Sequence, residues 1–217
     1  RDIVAYKFDR ASLVRRDLRG FTHMVASREG LYAVNQAGFA LVVRGSFYGL
    51  TIRQNEIYCF QALGPRPGFD GRILVLNLVG EEIVSYSVCV DGLPTGCHQI
   101  DFIGEELHIV DTDQNQIIKI SDDFSEASTH EVCAATDTPH INSIVVHGDH
   151  IFVLKHNGTT KSGRASEIIR CDMDLNPLDV ADLPGGDCHN MVFLENGELL
   201  VSDSKGGNLI TPQGVVV

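Results

Sequence analysis

Short apolar runs, each broken by Gly, Asp, Asn or Pro, recur along the whole chain: LYAVN (31–35), FALVV (39–43), EIYCFQ (56–61), RILVLNL (72–78), EELHIVD (105–111), QIIKIS (116–121), DHIFVLK (149–155), EIIRCDM (167–173) and ELLVSD (198–203). They are rich in Val, Ile, Leu and aromatic residues and too short for helices. No sustained helical period links them, so the pattern predicts strands joined by tight turns. The expected fold class is all-β.

The strands also repeat. CHQIDFIGEELHIVDTDQNQIIKIS (97–121), PHINSIVVHGDHIFVLKHN (139–157) and CHNMVFLENGELLVSDSKGGNLIT (188–211) each give a His, an apolar strand, a Gly-containing turn and a second strand ending in a polar residue. THMVASREGLYAVNQAGFALVV (22–43) fits the same template, and FYGLTIRQNEIYCFQ (47–61) fits it with Tyr48 in the His position. The anchors His23, Tyr48, His98, His140 and His189 are spaced by 25, 50, 42 and 49 residues. A repeat of this length is the signature of a propeller blade. The 28 residues after the last anchor and the 22 before the first together make one more blade length. The arithmetic predicts a single domain over 1–217, a five-bladed β-propeller whose N-terminal segments DIVAYKFD and LVRRDL close the C-terminal blade. Six blades would need about 36 residues each, against three of the intervals. An open β-sandwich is the competing architecture.

The hairpin VDTDQNQIIKIS (110–121) resembles the NHL and SMP-30-like propeller repeat, two apolar strands around a polar turn. The resemblance covers about half of each blade and implies architecture; it brings no catalytic motif with it.

Composition narrows the function. The chain has 217 residues, 43% hydrophobic and 21% charged, enough for a full core. Its formal charge of −12 repels phosphate, so neither nucleic acid nor an anionic membrane is an expected partner. No apolar run reaches the roughly 18 residues of a membrane helix, and RDIVAYKFDR has no signal-peptide apolar region. Six Cys (59, 89, 97, 133, 171 and 188) are spread without a C-x-x-C pair, which points to buried thiols in a reducing, cytoplasmic compartment. In any other compartment the sequon Asn157-Gly158-Thr159 becomes relevant.

Candidate chemistry sits in two sets of repeated positions. Strand starts carry His23, Tyr48, His98, His140 and His189; strand ends carry Asn35, Gln61, Asp111, Lys155 and Asp203. A propeller brings both sets to one mouth of its channel. Four neutral imidazoles aimed at one axis are suited to a divalent transition metal, Fe first, with Zn, Mn, Cu or Ni as alternatives. His23, His98, His140 and His189 are therefore the candidate metal ligands, with Asp111 and Asp203 as carboxylates behind them. The alternative is a structural repeat in which each His serves blade packing.

By analogy, the quartet is similar to the four-His iron centre of carotenoid-cleaving oxygenases, which are larger seven-bladed propellers. It is similar in part to the three-His manganese sites of pectate-type propeller lyases. The resulting expectation is a metal-dependent enzyme of oxygenase or lyase type acting on a small molecule, with Tyr48, Asp111, Lys155 and Asp203 as catalytic candidates that move protons or hold charge. A metal-free ligand- or protein-binding module is the alternative, and a purely structural propeller is a third reading. A glycosidase is disfavoured, because the anchor positions offer no paired carboxylates. His156 can reach the same mouth, and the polar loop HNGTTKSGRASE (156–167) is either a lid or a solvated insertion. Cys97 and Cys188, next to anchors, are thiolate candidates or packed thiols.

Overall fold

The structure is a computed structural model that describes residues 5–7, 13–64, 68–133 and 140–217. It is all-β, with five antiparallel sheets forming the blades of a five-bladed β-propeller. After β1 (Ala5–Lys7), the first blade holds β2 (His23–Ala26), β3 (Gly30–Asn35) and β4 (Gly38–Arg44). The second holds β5 (Ser46–Arg53), β6 (Glu56–Ala62), β7 (Gly71–Val79) and β8 (Glu82–Leu93). The third holds β9 (Cys97–Ile103), β10 (Glu106–Asp111), β11 (Gln116–Ile120) and β12 (Ala127–Glu131). In the fourth, β13 (Ile141–His147) and β14 (His150–Lys155) are followed by one helical turn, α1 (Thr159–Ser162), then β15 (Glu167–Cys171) and β16 (Pro177–Asp182). The fifth holds β17 (Cys188–Phe193), β18 (Leu199–Asp203) and β19 (Asn208–Ile210).

Within each blade the strands pair in chain order. Two-residue turns enforce this, because a left-handed first residue matches the twist of the flanking strands. Gly80 (φ 60°) makes that turn between Val79 and Glu82, and Gly148 (φ 62°) makes it between His147 and His150.

The chain divides into two compact units, Arg1–His108 with Ile120–Ser128 and Ile109–Lys119 with Thr129–Val217. In unit 1, Leu31, Val42, Val43, Phe47, Leu74 and Ile83 form one fully buried cluster. In unit 2, Leu154, Ile168, Cys188, Met191, Val201 and Ile210 form another. Each large apolar side chain so buried contributes about 1.5–3 kcal/mol. Among the described residues, no helix is long and apolar enough to cross a membrane.

The N-terminal closure differs from the expectation. Of DIVAYKFD, only Ala5–Lys7 lies among the described residues. It pairs with the outer edge of the second blade, Ala5 with Val90 and Lys7 with Val88, and not with the C-terminal blade. In LVRRDL, Leu13 bridges Val43 and Asp17 bridges Glu82. The cause is apolar burial: Leu18 is buried, and Leu13 packs, in the cluster that holds Val42, Val43 and Ile83. Val14 N–H donates to Val42 O (2.8 Å), Leu18 N–H to Glu81 O (2.9 Å) and Ile83 N–H to Arg16 O (2.9 Å), which covers backbone that would otherwise be an open edge.

Candidate functional site

The repeated anchors land where the spacing puts them. His23 opens β2, Tyr48 is the third residue of β5, His98 and His189 are the second residues of β9 and β17, and His140 immediately precedes β13. In unit 1, the Tyr48 and His98 rings lie 5.5 Å apart at 39°. His23 is exposed, with Nδ1 2.8 Å from Thr22 Oγ1, beside an open depression of about 680 Å³.

Unit 2 builds the denser site. The His156 ring stands between two others, 4.7 Å from His140 and 4.7 Å from His189. His156 directly follows β14, so the end of that strand places it between the starts of β13 and β17. Its backbone N–H donates to His140 O at 2.9 Å. Its Nε2 lies 3.6 Å from Asp187 Oδ1, and both side chains are largely shielded, 13% and 16% exposed.

Hydrogen-bond partners fix which ring nitrogen carries the proton. Gly158 N–H donates to His156 Nδ1 (2.9 Å), so that nitrogen is bare and neutral His156 carries its proton on Nε2, facing Asp187. His189 is the reverse. Its Nδ1 lies 2.8 Å from Asp187 O, a carbonyl that only accepts, and 3.0 Å from Ser204 Oγ, so Nδ1 carries the proton and Nε2 has the lone pair. The cluster therefore holds one imposed donor and one imposed acceptor. Burial holds His156 below the usual histidine value and His189 beside it adds to this, while Asp187 acts in the opposite direction.

The backbone around the cluster is unusual too. His140, Asp187 and Asn190 all have left-handed backbone, with φ of 48°, 49° and 50°. Such residues cost about 1 kcal/mol or more each and gather at sites where side chains must be aimed. Nearby, Asn142 Nδ2 donates to Cys188 O at 3.1 Å, tying β13 to β17, and its buried Oδ1 has no hydrogen-bond partner among the described residues.

The strand-end residues make local bonds. Asp111 is fully buried and accepts from Gln114 N–H (3.3 Å) and Gln116 Nε2 (2.8 Å). Asp203 Oδ1 accepts from Gly206 N–H (3.0 Å) and Gly186 N–H (3.1 Å). Asn35 Oδ1 accepts from Ala37 and Gly38 N–H (2.9 and 3.1 Å), so three blades cap the turn after the second strand in the same way. Gln61 Oε1 accepts from Arg72 Nε (2.9 Å). Lys155 Nζ lies 2.7 Å from Glu167 Oε2, directly across the β14–β15 pair. Burial pushes the Glu167 carboxyl up, but Lys155, Asn157 and Arg164 outweigh it and leave the group below its usual value.

All six cysteines are free thiols, and Cys97 and Cys188 are fully buried. Burial raises the Cys188 thiol, the opposite of what a thiolate ligand or nucleophile needs. Among the described residues, no group of three or more His, Cys, Asp and Glu side chains is placed to hold a metal ion.

The repeat pattern located His140 and His189 and only adjoined His156. It passed over Asp187, Ser204 and Gly158. The available signal was Asp187 in GGDCH, standing where the parallel stretch TGCH has Gly96.

No family model and no curated protein matches the chain. Among solved structures it is similar to a protein of unknown function from Bacteroides caccae, with 12% identity and a TM-score of 0.62 over 89% of this chain and 75% of that one. It is also similar to a chain of a nidogen/laminin complex, with 13% identity and a TM-score of 0.61 over 88% and 74%. A third is Myxococcus xanthus glutaminyl cyclase, with 11% identity and a TM-score of 0.50 over 90% of both chains. At these identities the likeness is one of fold, and the chemistry has to be argued from this chain's own residues.

Proposed function

We propose that this chain is a binding propeller whose ligand is a small polar molecule, held without a metal where β13, β14 and β17 meet in unit 2. The observation that carries the reading is the pair of imposed tautomers. His156 carries its proton on Nε2, toward Asp187, and His189 keeps its lone pair on Nε2, each tautomer fixed by a backbone group, so the cluster presents a donor shared with a carboxylate beside an acceptor and suits a ligand that both accepts and donates. Asn142 Oδ1, buried and without a donor among the described residues, supports a polar occupant beside them. The finer kinship with the NHL and SMP-30-like repeat belongs to the same proposal and rests on the VDTDQNQIIKIS hairpin with its Asp111 cap.

The test is long-range imidazole ¹⁵N NMR on protein stripped of metal, titrated with mixtures of small polar metabolites. A binder moves the His189 Nε2 and His156 resonances, and His189→Ala abolishes the response. Mixtures that leave both rings unmoved would sink the reading, as would binding that begins only when a metal is added.

That last outcome defines the second reading, the metal-dependent enzyme with His23, His98, His140 and His189 as ligands. One observation favours it: metal-binding histidines commonly donate their far N–H to a carbonyl, as His189 does to Asp187 O. His156 fits it less well, because binding a cation through Nε2 moves the proton to Nδ1, against the Gly158 N–H. The analogy to four-His iron centres belongs to this reading. Near-stoichiometric Fe, Zn, Mn, Cu or Ni in protein purified without a His tag would establish it, with Tyr48→Phe then lowering turnover while metal content stays.

A further inference from the structure

Three segments of unit 2 border an open cavity of about 400 Å³: Ala165 before β15, Gly185 and Gly186 before β17, and Asp203, Lys205 and Gly206 at the end of β18. Among the described residues, its lining includes no histidine. Backbone bonds fix the walls. Ser166 N–H donates to Gly185 O (3.3 Å), Lys205 N–H to Gly186 O (3.1 Å) and Gly207 N–H to Asp203 O (2.8 Å). Walls held in this way are formed before a ligand arrives, and the volume falls in the range of about 300–1,000 Å³ usual for small-molecule sites.

Two opposite charges border the cavity. Asp203 accepts both Gly186 N–H and Gly206 N–H at one oxygen, Oδ1, which leaves Oδ2 outside the turn. Among the described residues, neither Asp203 Oδ2 nor the exposed Lys205 Nζ has a hydrogen-bond or ion-pair partner, and the two do not pair with each other. A Cβ on Gly206 would lie 2.2 Å from Oδ2, so glycine there leaves the second oxygen its room. A turn cap has no need of that oxygen. A carboxylate oxygen and an ammonium that share one cavity without closing on each other suit a guest carrying both charges, because a guest with one charge leaves the other side without its counter-charge.

We propose that this cavity is a second binding site, for a free amino acid or a similar small zwitterion whose ammonium donates to Asp203 Oδ2 and whose carboxylate accepts from Lys205 Nζ. It stands apart from the His140–His156–His189 cluster and does not rest on the reading given there. Asp203 then has one task per oxygen: Oδ1 caps the turn and Oδ2 receives the guest.

Calorimetric titration and ¹H–¹⁵N NMR of the 217-residue chain, with each standard L-amino acid in turn near neutrality, test the site. At least one amino acid should bind saturably and move the amides of Gly185, Gly186 and Gly206. Its N-acetyl derivative and its carboxamide should each bind on the order of tenfold more weakly or worse, since each loses one charge-assisted bond. Asp203→Asn keeps an oxygen for the Gly186 and Gly206 N–H groups and puts an NH₂ donor in place of Oδ2; it should fold and lose affinity by on the order of tenfold to a hundredfold. Lys205→Gln should fold as wild type does and lose the preference for the free carboxylate over the carboxamide. Absence of binding by every amino acid up to about 10 mM, or an affinity unchanged by N-acetylation or by Asp203→Asn, would overturn the site. Shifts confined to the His156 and His189 imidazoles would overturn it too, and would support the cluster reading instead. If Asp203→Asn does not fold, Lys205→Gln decides: a wild-type preference for the free carboxylate in that variant refutes the proposal.

Discussion

Replacing Asp203 by Ala separates two roles for a residue that the repeat pattern marks as chemical. One carboxylate oxygen accepts from Gly206 N–H at 3.0 Å and Gly186 N–H at 3.1 Å, joining the turn after β18 to the loop before β17. The group is enclosed by glycine backbone: a Cβ on Gly206 would lie 2.2 Å from Asp203 Oδ2, and one on Gly185 would lie 3.0 Å from its Cγ. The same carboxylate also borders an open cavity of about 400 Å³, which keeps a chemical role in play. Alanine leaves two N–H groups without their acceptor. The Gly206 turn is exposed and water replaces part of that loss, so the cost should be about 1–2 kcal/mol. For a chain of this size that lowers the melting temperature by about 2–8 °C. Asp203→Asn keeps the acceptor oxygen and should cost less than half as much. The assay is thermal unfolding of the three proteins by circular dichroism, beside ligand or substrate response at a temperature where all are folded. An Asp203→Ala protein as stable as wild type but without that response would refute the turn-cap assignment and return Asp203 to the chemistry.

Three further outcomes follow from single contacts. Lys155→Met leaves Glu167 with Arg164 and Asn157 but without its nearest cation, and should cost about 1–3 kcal/mol in chemical denaturation near neutrality. Because the Glu167 carboxyl sits below its usual value of 4.5 when folded, its contribution is present above that value and is lost as pH falls through the folded value; the gap between wild type and variant should close in acid, and a constant gap would count against the pair. The sequon is silent in the folded protein, since Asn157 is buried with Nδ2 donating to Ala165 O at 2.7 Å; a glycan on Asn157 in intact mass after expression in a glycosylating host would contradict this. Native thiol titration should find at most Cys133 reactive, and slowly, because the other five cysteines are buried and burial raises Cys133 as well; two or more fast thiols would contradict the packing.

Much of the fold was legible because a blade writes its own boundaries. A polar anchor, an apolar strand, a turn and a second strand ending in Asn, Asp or Lys place the starts of β2, β5, β9, β13 and β17 to within two residues. The closure was not legible, since a three-residue strand such as Ala5–Lys7 can join any open edge. What holds the bridges at Leu13 and Asp17 is the packing of Leu13 and Leu18 against the cluster of Val42, Val43 and Ile83, a tertiary fact absent from local pattern.

The site follows the same division. Repetition marks a position without saying why it repeats. Asp111, Asp203 and Asn35 recur at strand ends, and a turn cap demands that recurrence as strongly as a shared channel would, because each side chain takes N–H groups two or three residues on. The residues that set the chemistry of the cluster do not recur. His156 exists in the fourth blade alone, and it owes its fixed tautomer to Gly158, while His189 owes its own to the carbonyl of Asp187. Both tautomers are set by main-chain atoms, and main-chain atoms leave no side-chain signature in a sequence. A ring of repeated histidines therefore says where a propeller can gather imidazoles, whereas whether they act as ligands, donors or bases is decided by the backbone groups behind them. That is why histidine tautomers, more than counts of repeated anchors, are the measurement that discriminates between the readings of this site.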